Sequence, residues 1–481
     1  MISGINSSVS ALRSLTKKAE STANNVANVN TPGYKATRLT LHEASSQNVS
    51  TASGSDQVGR GVNVGSVDRA NTQGAFENSQ SASDFGISGQ GYFLLRDPDS
   101  AVADQYTRTG NFQYDRQGYL VSPNGSLVQG WQIDSATSDR QGSIGDIQIA
   151  QSTPPVATTQ VTEIVNLDAR TAPENVSNSL ALFDSYDGRN AAAAQPTEPI
   201  ASSNYEYKSS IAIYDSQGSR QNVDIYYDTT TTNNQWEFLV AVDPLADQRA
   251  GIDTTQKGAG ALMYGTINFS TSGDITSIEA FNVPGDAQVN PTLPDNRINL
   301  ANTDTFYSFG ANFSGDSQNQ EIALDFGAVY SGVGTSFQPQ SLASSQYANA
   351  STTISQNQDG YGAGFLQSVA TDNEGVISAS YSNGQVLEQA QVGLANFANQ
   401  GGLSSEGGGV FRETTASGSA YTGAPGTSGL GGLAPNALEI SNVDLAEELV
   451  TMMITKTSFK ANVKMIQAGD EMIGSLLDIK T

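Results

Sequence analysis

The two ends of this chain carry a helical repeat and the long middle does not, a division that limits the possible folds more than any other feature. Ile2, Ile5, Val9, Leu12, Ala19, Ala23 and Val26 recur at spacings of three and four, with Thr16 in the missing slot. That spacing predicts an amphipathic helix over about residues 4–28. At the other end Leu445, Leu449, Met452, Phe459, Val463, Ile466, Ile473 and Leu477 fill eight of ten consecutive slots of a 3.5-residue seam, and Lys456 and Asp470 fill the rest. Ser441 with Asp444 resembles a capping box, and Glu447 and Glu448 suit the positive end of the helix dipole. A 3.5-residue seam calls for a partner helix, and the other terminus is the nearest one. Residues 1–30 with 440–481 are therefore expected to pair as a coiled-coil-like core domain. Its assembly seam is Ile5, Val9, Leu12, Ala19, Ala23 and Val26 against the eight C-terminal residues.

The N-terminal stripe is narrow and rich in Ser, Thr and Asn, so this pair needs further neighbours. Other copies of the same chain are the simplest; a hairpin capping an ordinary domain is the alternative. No uncharged apolar run approaches the ~18 residues of a membrane span, so no membrane insertion is expected. Nor is there a continuous apolar h-region, so a cleaved signal peptide is not expected either.

From residue 46 to 438, short β-prone runs alternate with glycine turns. Asp115 to Gly118, Asp215 to Gly218, Ser272-Gly273, Asp372 to Gly375 and Asn383-Gly384 all read as hairpin turns. The segments between them alternate, as in Ile211 to Tyr214, Val223 to Tyr227 and Trp236 to Val240. The fold class is thus multidomain and mainly β with terminal α-helices, its antiparallel, barrel- or sandwich-like domains nested outward. Pro154-Pro155 and the polar stretch 338–360 mark an inserted domain. The expected division is 1–30 with 440–481, a connecting region 31–75, an inner β domain 76–155 with 360–439, and an outer β domain 156–359.

Charge and chemistry remove most other roles. The net charge is −25, with 48 acidic and 23 basic residues, which disfavours binding to nucleic acid or an anionic membrane. Residues 1–45 carry a net +3 and residues 439–481 a net −3, so the whole excess lies in the middle. There is no Cys and one histidine, His42, which excludes thiolate catalysis and the usual metal sites. Asp184-Ser185-Tyr186-Asp187-Gly188 is a weak calcium-loop likeness that lacks its terminal acid. The glycines at 86–91 and 360–364 do not open a helix in a βαβ unit, so they read as turns, not nucleotide loops. No carboxylate pair stands out for glycoside hydrolysis. No enzyme, cofactor or metal is expected.

A family resemblance rests on three blocks. Asn24, Asn25, Val26, Ala27, Asn28, Val29, Asn30, Thr31, Pro32, Gly33, Tyr34 and Lys35 form a helix stop directly after the first stripe. Asp84 to Phe93, Tyr106 to Phe112 and Asp115 to Leu120 form the second block, and Gly393 to Phe397 with Ala437 to Leu445 the third. In these the chain resembles the axial proteins of the bacterial flagellum. The hairpins Tyr214 to Gly218 and Asn268 to Gly273 resemble the hook branch, whose insert the shorter rod proteins lack. Residues 170–205, with Ala191 to Ala194, match no pattern of that family.

The resemblance implies a structural subunit that self-assembles into a curved, flexible tube coupling rod to filament as a universal joint. It implies as partners many copies of the chain itself, the distal rod protein, the hook cap, the hook-filament junction protein and the flagellar type III export apparatus. It places the protein outside the cell, exported without signal cleavage. A distal rod protein is the alternative within the family, and an exported β-rich adhesin or glycan-binding protein the alternative outside it.

Overall fold

Local turn chemistry explains how so polar a chain makes so much strand. At Asp115, Asp215 and Asp372 the Oδ1 oxygen accepts the backbone N–H groups two and four residues on, all at 2.8 to 2.9 Å. Gly118, Gly218 and Gly375 then take φ of 86°, 80° and 79°, where a Cβ would clash with its own backbone. Each turn reverses one strand onto the next.

The structure, a computed structural model, describes residues 2–478 apart from 52–53, 135–136, 173–179, 194–196, 284–291, 302 and 316–318. The poly-alanine end at Ala194 lies outside the described residues. The helices are α1 (Ile2–Ala27), a short α2 (Ala181–Ser185) and α3 (Leu445–Asp478). The rest is short strands joined by turns and loops, in two compact units: Met1–Gln151 with Leu366–Tyr381 and Val386–Thr481, and Ser152–Phe365 with Ser382–Gln385.

The second unit contains a five-stranded antiparallel meander of Tyr207–Tyr214, Arg220–Thr229, Gln235–Val242, Ala261–Phe269 and Ile275–Asn282. Successive side chains leave a strand on opposite faces, so neighbours such as Tyr226 and Tyr227 enter different cores. Ile213, Ile225, Tyr227, Trp236 and Phe238 pack with Phe309, Ile322, Leu324 and Phe326. The last four belong to or follow a four-stranded sheet in which Gln160–Asn166 pairs parallel with Gln320–Asp325 and antiparallel with Thr352–Gln358. Tyr226, Leu239, Ala241 and Tyr264 occupy the other face of the meander, covered by Leu182, Phe183, Tyr186 and Ile200. Leu182, Phe183, Tyr186 and Ile200, from the stretch with no recognisable pattern, thus seal the second face of the sheet.

Glu237 points into that second core. It accepts the Leu182 N–H at 3.0 Å and the Tyr264 hydroxyl at 2.8 Å. Burial pushes its carboxyl up to about 7.

In the first unit, from Leu366 of the strand Gly364–Thr371 onward, the strands Val376–Tyr381, Val386–Val392, Leu127–Ile133, Tyr92–Arg96, Gln105–Thr107, Val410–Arg412 and Ser404–Gly407 follow one another across a sheet. Phe85 and Ile87 are fully buried beside Phe93 and Phe112, on a strand paired with Gly432–Pro435. Gly86 between them makes room for the Phe76 ring, since a Cβ there would fall 2.4 Å from Phe76 Cε1. A two-stranded ribbon, Thr37–Glu43 with Val62–Arg69, packs against α1.

Candidate assembly surface

α1 and α3 lie side by side and antiparallel. Asn25 near the end of α1 donates to Glu448 Oε1 at 2.7 Å, while Ile5 near its start faces Gly469. A Cβ on Gly469 would stand 3.0 Å from Ile5, so the small residue permits that approach. Thr455 on α3 and Ser8, Ser14, Thr22 and Asn25 on α1 are buried. Thr455 satisfies its hydroxyl within its own helix, donating to the Thr451 carbonyl at 2.8 Å.

Of the residues expected on the seam, Ile5, Val9, Leu12, Ala19 and Val26 are half-buried and Ala23 is exposed. Met452, Val463, Ile466 and Ile473 are half-buried, while Leu445, Leu449 and Phe459 are exposed. Leu477 lies in α3, but its side chain is outside the described set. The covered stripe of α3 therefore runs through Thr451, Thr455, Ser458, Asn462 and Gly469 as well as through apolar residues. At 3.6 residues per turn, Leu449, Val450, Met453 and Ile454 fall on the other side of the helix. They are 49% to 60% exposed, and Met465 and Met472 extend the exposed set toward the C-terminus. The start of α3 also differs from the expected capping box. Asp444 Oδ1 accepts the N–H groups of Ala446 and Glu447 at 2.8 and 3.2 Å, so Asp444 is the cap. Ser441 forms a tight turn one step earlier, its hydroxyl accepting from Val443 at 3.3 Å.

The helix stop ties α1 to both α3 and the sheet. Asn25 Oδ1 accepts from Thr37 N at 2.9 Å and from the Tyr34 hydroxyl at 3.1 Å. Asn24 donates to that same hydroxyl at 3.1 Å, and Asn28 donates back to the Asn24 carbonyl at 2.9 Å. Thr31 bonds Asn28 Oδ1 at 3.1 Å, whereas Asn30 is exposed and Pro32 half-buried. Gly33 turns with φ 68° and donates to the Glu439 carbonyl at 2.7 Å.

Lys35 enters a buried charge cluster. Its Nζ meets Glu439 Oε1 at 2.5 Å and the Thr72 carbonyl at 2.8 Å. Arg108 Nε meets the other carboxylate oxygen at 2.6 Å. The remaining Arg108 nitrogens donate to the carbonyls of Ile87, Gly89 and Gly91 at 2.6 to 2.8 Å. Burial alone would raise the Glu439 carboxyl, but Arg108, Lys35 and the Gly74 N–H hold it below its usual value. Burial pushes the Lys35 ammonium down against the pull of Glu439. The sequence marks Arg108 and Glu439 only as lone charges within strongly patterned blocks. The glycines at 86–91 thus aim carbonyls at a cation, where a phosphate loop would need converging N–H groups.

His42 stands exposed in the ribbon. Asp187 is held by Arg189 at 2.6 Å, and among the described residues no group of three acidic or histidine side chains could hold a metal.

Comparison with known proteins fits this layout. Four family models match: "Flagella basal body rod protein" over residues 5–35, "Flagellar hook protein FlgE/F/G D1 domain" over 86–165, "Flagellar basal body protein FlaE D2 domain" over 183–361, and "Flagellar basal body rod FlgEFG protein C-terminal" over 434–479. The flagellar hook protein FlgE of Treponema pallidum is 31% identical across 100% of both chains, and that of Borreliella burgdorferi 32% across 100% of both. The chain belongs to the flagellar hook protein family. The Salmonella typhimurium hook protein is 27% identical over 98% of each chain. Both helical ends of this hook-family chain, and residues 183–361 between them, fall within matched regions.

Proposed function

We propose that the chain polymerises as the structural subunit of the flagellar hook, forming a curved, flexible tube that couples rod to filament and transmits torque. The observation that carries this reading is the open apolar face of α3. Leu449, Val450, Met453 and Ile454 are left 49% to 60% exposed, and burying the rest returns roughly 1 kcal/mol each, half of a fully buried side chain. In this reading residues 1–30 and 440–481 pair as a coiled-coil-like core domain. Met452, Val463, Ile466 and Ile473 with Ile5, Val9, Leu12, Ala19 and Val26 hold the pair within a subunit. Leu445, Leu449, Phe459 and Ala23 serve contacts between subunits.

The Asn24 to Lys35 stop, locked through Lys35 to Glu439 and Arg108, passes load from the helices into the inner β domain. Outer β domains with few charges slide past one another as subunit rows lengthen and shorten. The further partners are the distal rod protein at the base, the cap during growth and the junction protein at the tip. Delivery to the cell exterior is by the flagellar type III export apparatus.

Deleting residues 1–30 or 445–481 should abolish polymerisation while leaving a soluble, folded β core. Electron microscopy of such variants that still shows tubes would sink this reading. Straight, rigid polymers of the intact chain would point to a distal rod protein instead.

A further inference from the structure

A groove of about 770 Å³ runs between α1 and the strand Val62–Arg69, lined by Val9, Arg13, Lys17, Arg60, Asn63 and Val64 among others. Its floor is fixed. The Val62 N–H donates to Ser10 Oγ at 3.2 Å, and the Ser14 hydroxyl donates to the Val62 carbonyl at 3.2 Å. No Asp or Glu lines the groove. Lys17 meets Glu20 at 2.9 Å across solvent, and Arg13 and Arg60 have no ion pair among the described residues.

The neighbouring helix does not neutralise these cations. Between Glu448 and Asp470, the stretch of α3 alongside the middle of α1 carries Lys456, Lys460 and Lys464 and no acid. The middle of the helical pair is a positive island in a chain of net charge −25.

We infer that this groove receives the acidic turn of α3 from a second copy of the chain, with Asp470 and Glu471 facing Arg13, Lys17 and Arg60. This rests on the self-assembly reading above and names the contact. Asp470 and Glu471 are exposed and flanked by exposed Met465 and Met472, a mixture that fits cations set beside Val9 and Val64. The chain's own Asp470 and Glu471 are out of reach. Gly469 lies at Ile5, so Arg13 and Glu471 of one chain stand about 15 Å apart along the helix axis.

The chain has no Cys, so Arg13→Cys with Glu471→Cys gives a clean crosslinking pair. A distance of about 15 Å exceeds the ~7 Å Cα reach of a disulfide, so any bond formed joins two copies. Polymers assembled under reduction and then oxidised should run as a covalent ladder on a non-reducing gel, and each single-Cys variant should not. In a second arm, Arg13→Glu with Arg60→Glu should raise the critical concentration at least tenfold, and adding Asp470→Lys with Glu471→Lys should restore it. Polymers without a ladder, or an unchanged critical concentration in the Arg13→Glu, Arg60→Glu variant, overturn the inference. If the double-Cys variant does not polymerise, the charge-exchange arm decides. An intact chain that forms no polymer sinks the parent reading as well, which separates the two failures.

Discussion

Replacing Glu439 by Gln tests the buried cluster directly, because the shape and the bond from the Gly74 N–H survive while the anion between Lys35 and Arg108 is lost. Both cations are almost fully buried, with 6% and 7% of their side chains exposed, so neither can turn to water. Leaving buried charge uncompensated in this way costs about 3 to 5 kcal/mol. Trp131 lies in the first unit and Trp236 in the second, so a Trp236→Phe background makes urea unfolding followed by fluorescence report the first unit alone. At roughly 2 to 3 kcal/mol per molar urea, the Glu439→Gln midpoint should fall by about 1 to 2.5 M. The stability from this carboxylate is complete above its ordinary value of 4.5, because the folded value lies lower. It is lost as pH falls through that lower value, so the native protein should weaken in acid where Glu439→Gln does not. A midpoint shift below about 0.3 M, or an equal shift in the second unit, would refute the reasoning.

Three further outcomes are expected. Glu237 has its folded value raised from 4.5 to about 7, so its contribution to the stability of the second unit is complete below pH 4.5 and is lost as pH rises to about 7. The loss is on the order of 3 kcal/mol. Glu237→Gln should flatten that dependence, read from Trp236 in a Trp131→Phe background; a slope equal to the parent's counts against it. Gly33→Ala forces a left-handed φ and sets a Cβ 2.9 Å from the Arg108 and Thr109 backbone. It should cost the first unit about 2 to 3 kcal/mol in the same urea assay. Ile454→Asp, at a residue 59% exposed, should leave the monomer within about 0.5 kcal/mol of its parent in urea and abolish sedimentable polymer.

How much was legible varies with the range of the interactions. The turns at Asp115, Asp215 and Asp372 could be read directly because donor, acceptor and glycine lie within five residues of one another. The meander followed from period-two alternation, yet its second core did not, because Leu182, Phe183, Tyr186 and Ile200 carry no repeat of their own. On α3 the strongest apolar period does not fully coincide with the stripe that meets α1. Helices approach closely where side chains are small, which favours Thr455 and Gly469 and leaves Leu449 and Met453 facing outward.

What the amino-acid order determined by itself was local or periodic: helical ends, a hairpin-built middle, the stop from Asn24 to Lys35, and a charge excess confined to the middle. What only the tertiary structure decided was which residues far apart in the chain neutralise or cover one another. Lys35 and Glu439 stand 404 residues apart, and Arg108 and Glu439 331 apart. No periodicity encodes such a pairing, because it forms only when the folded chain removes all three side chains from water and leaves each the others as partners.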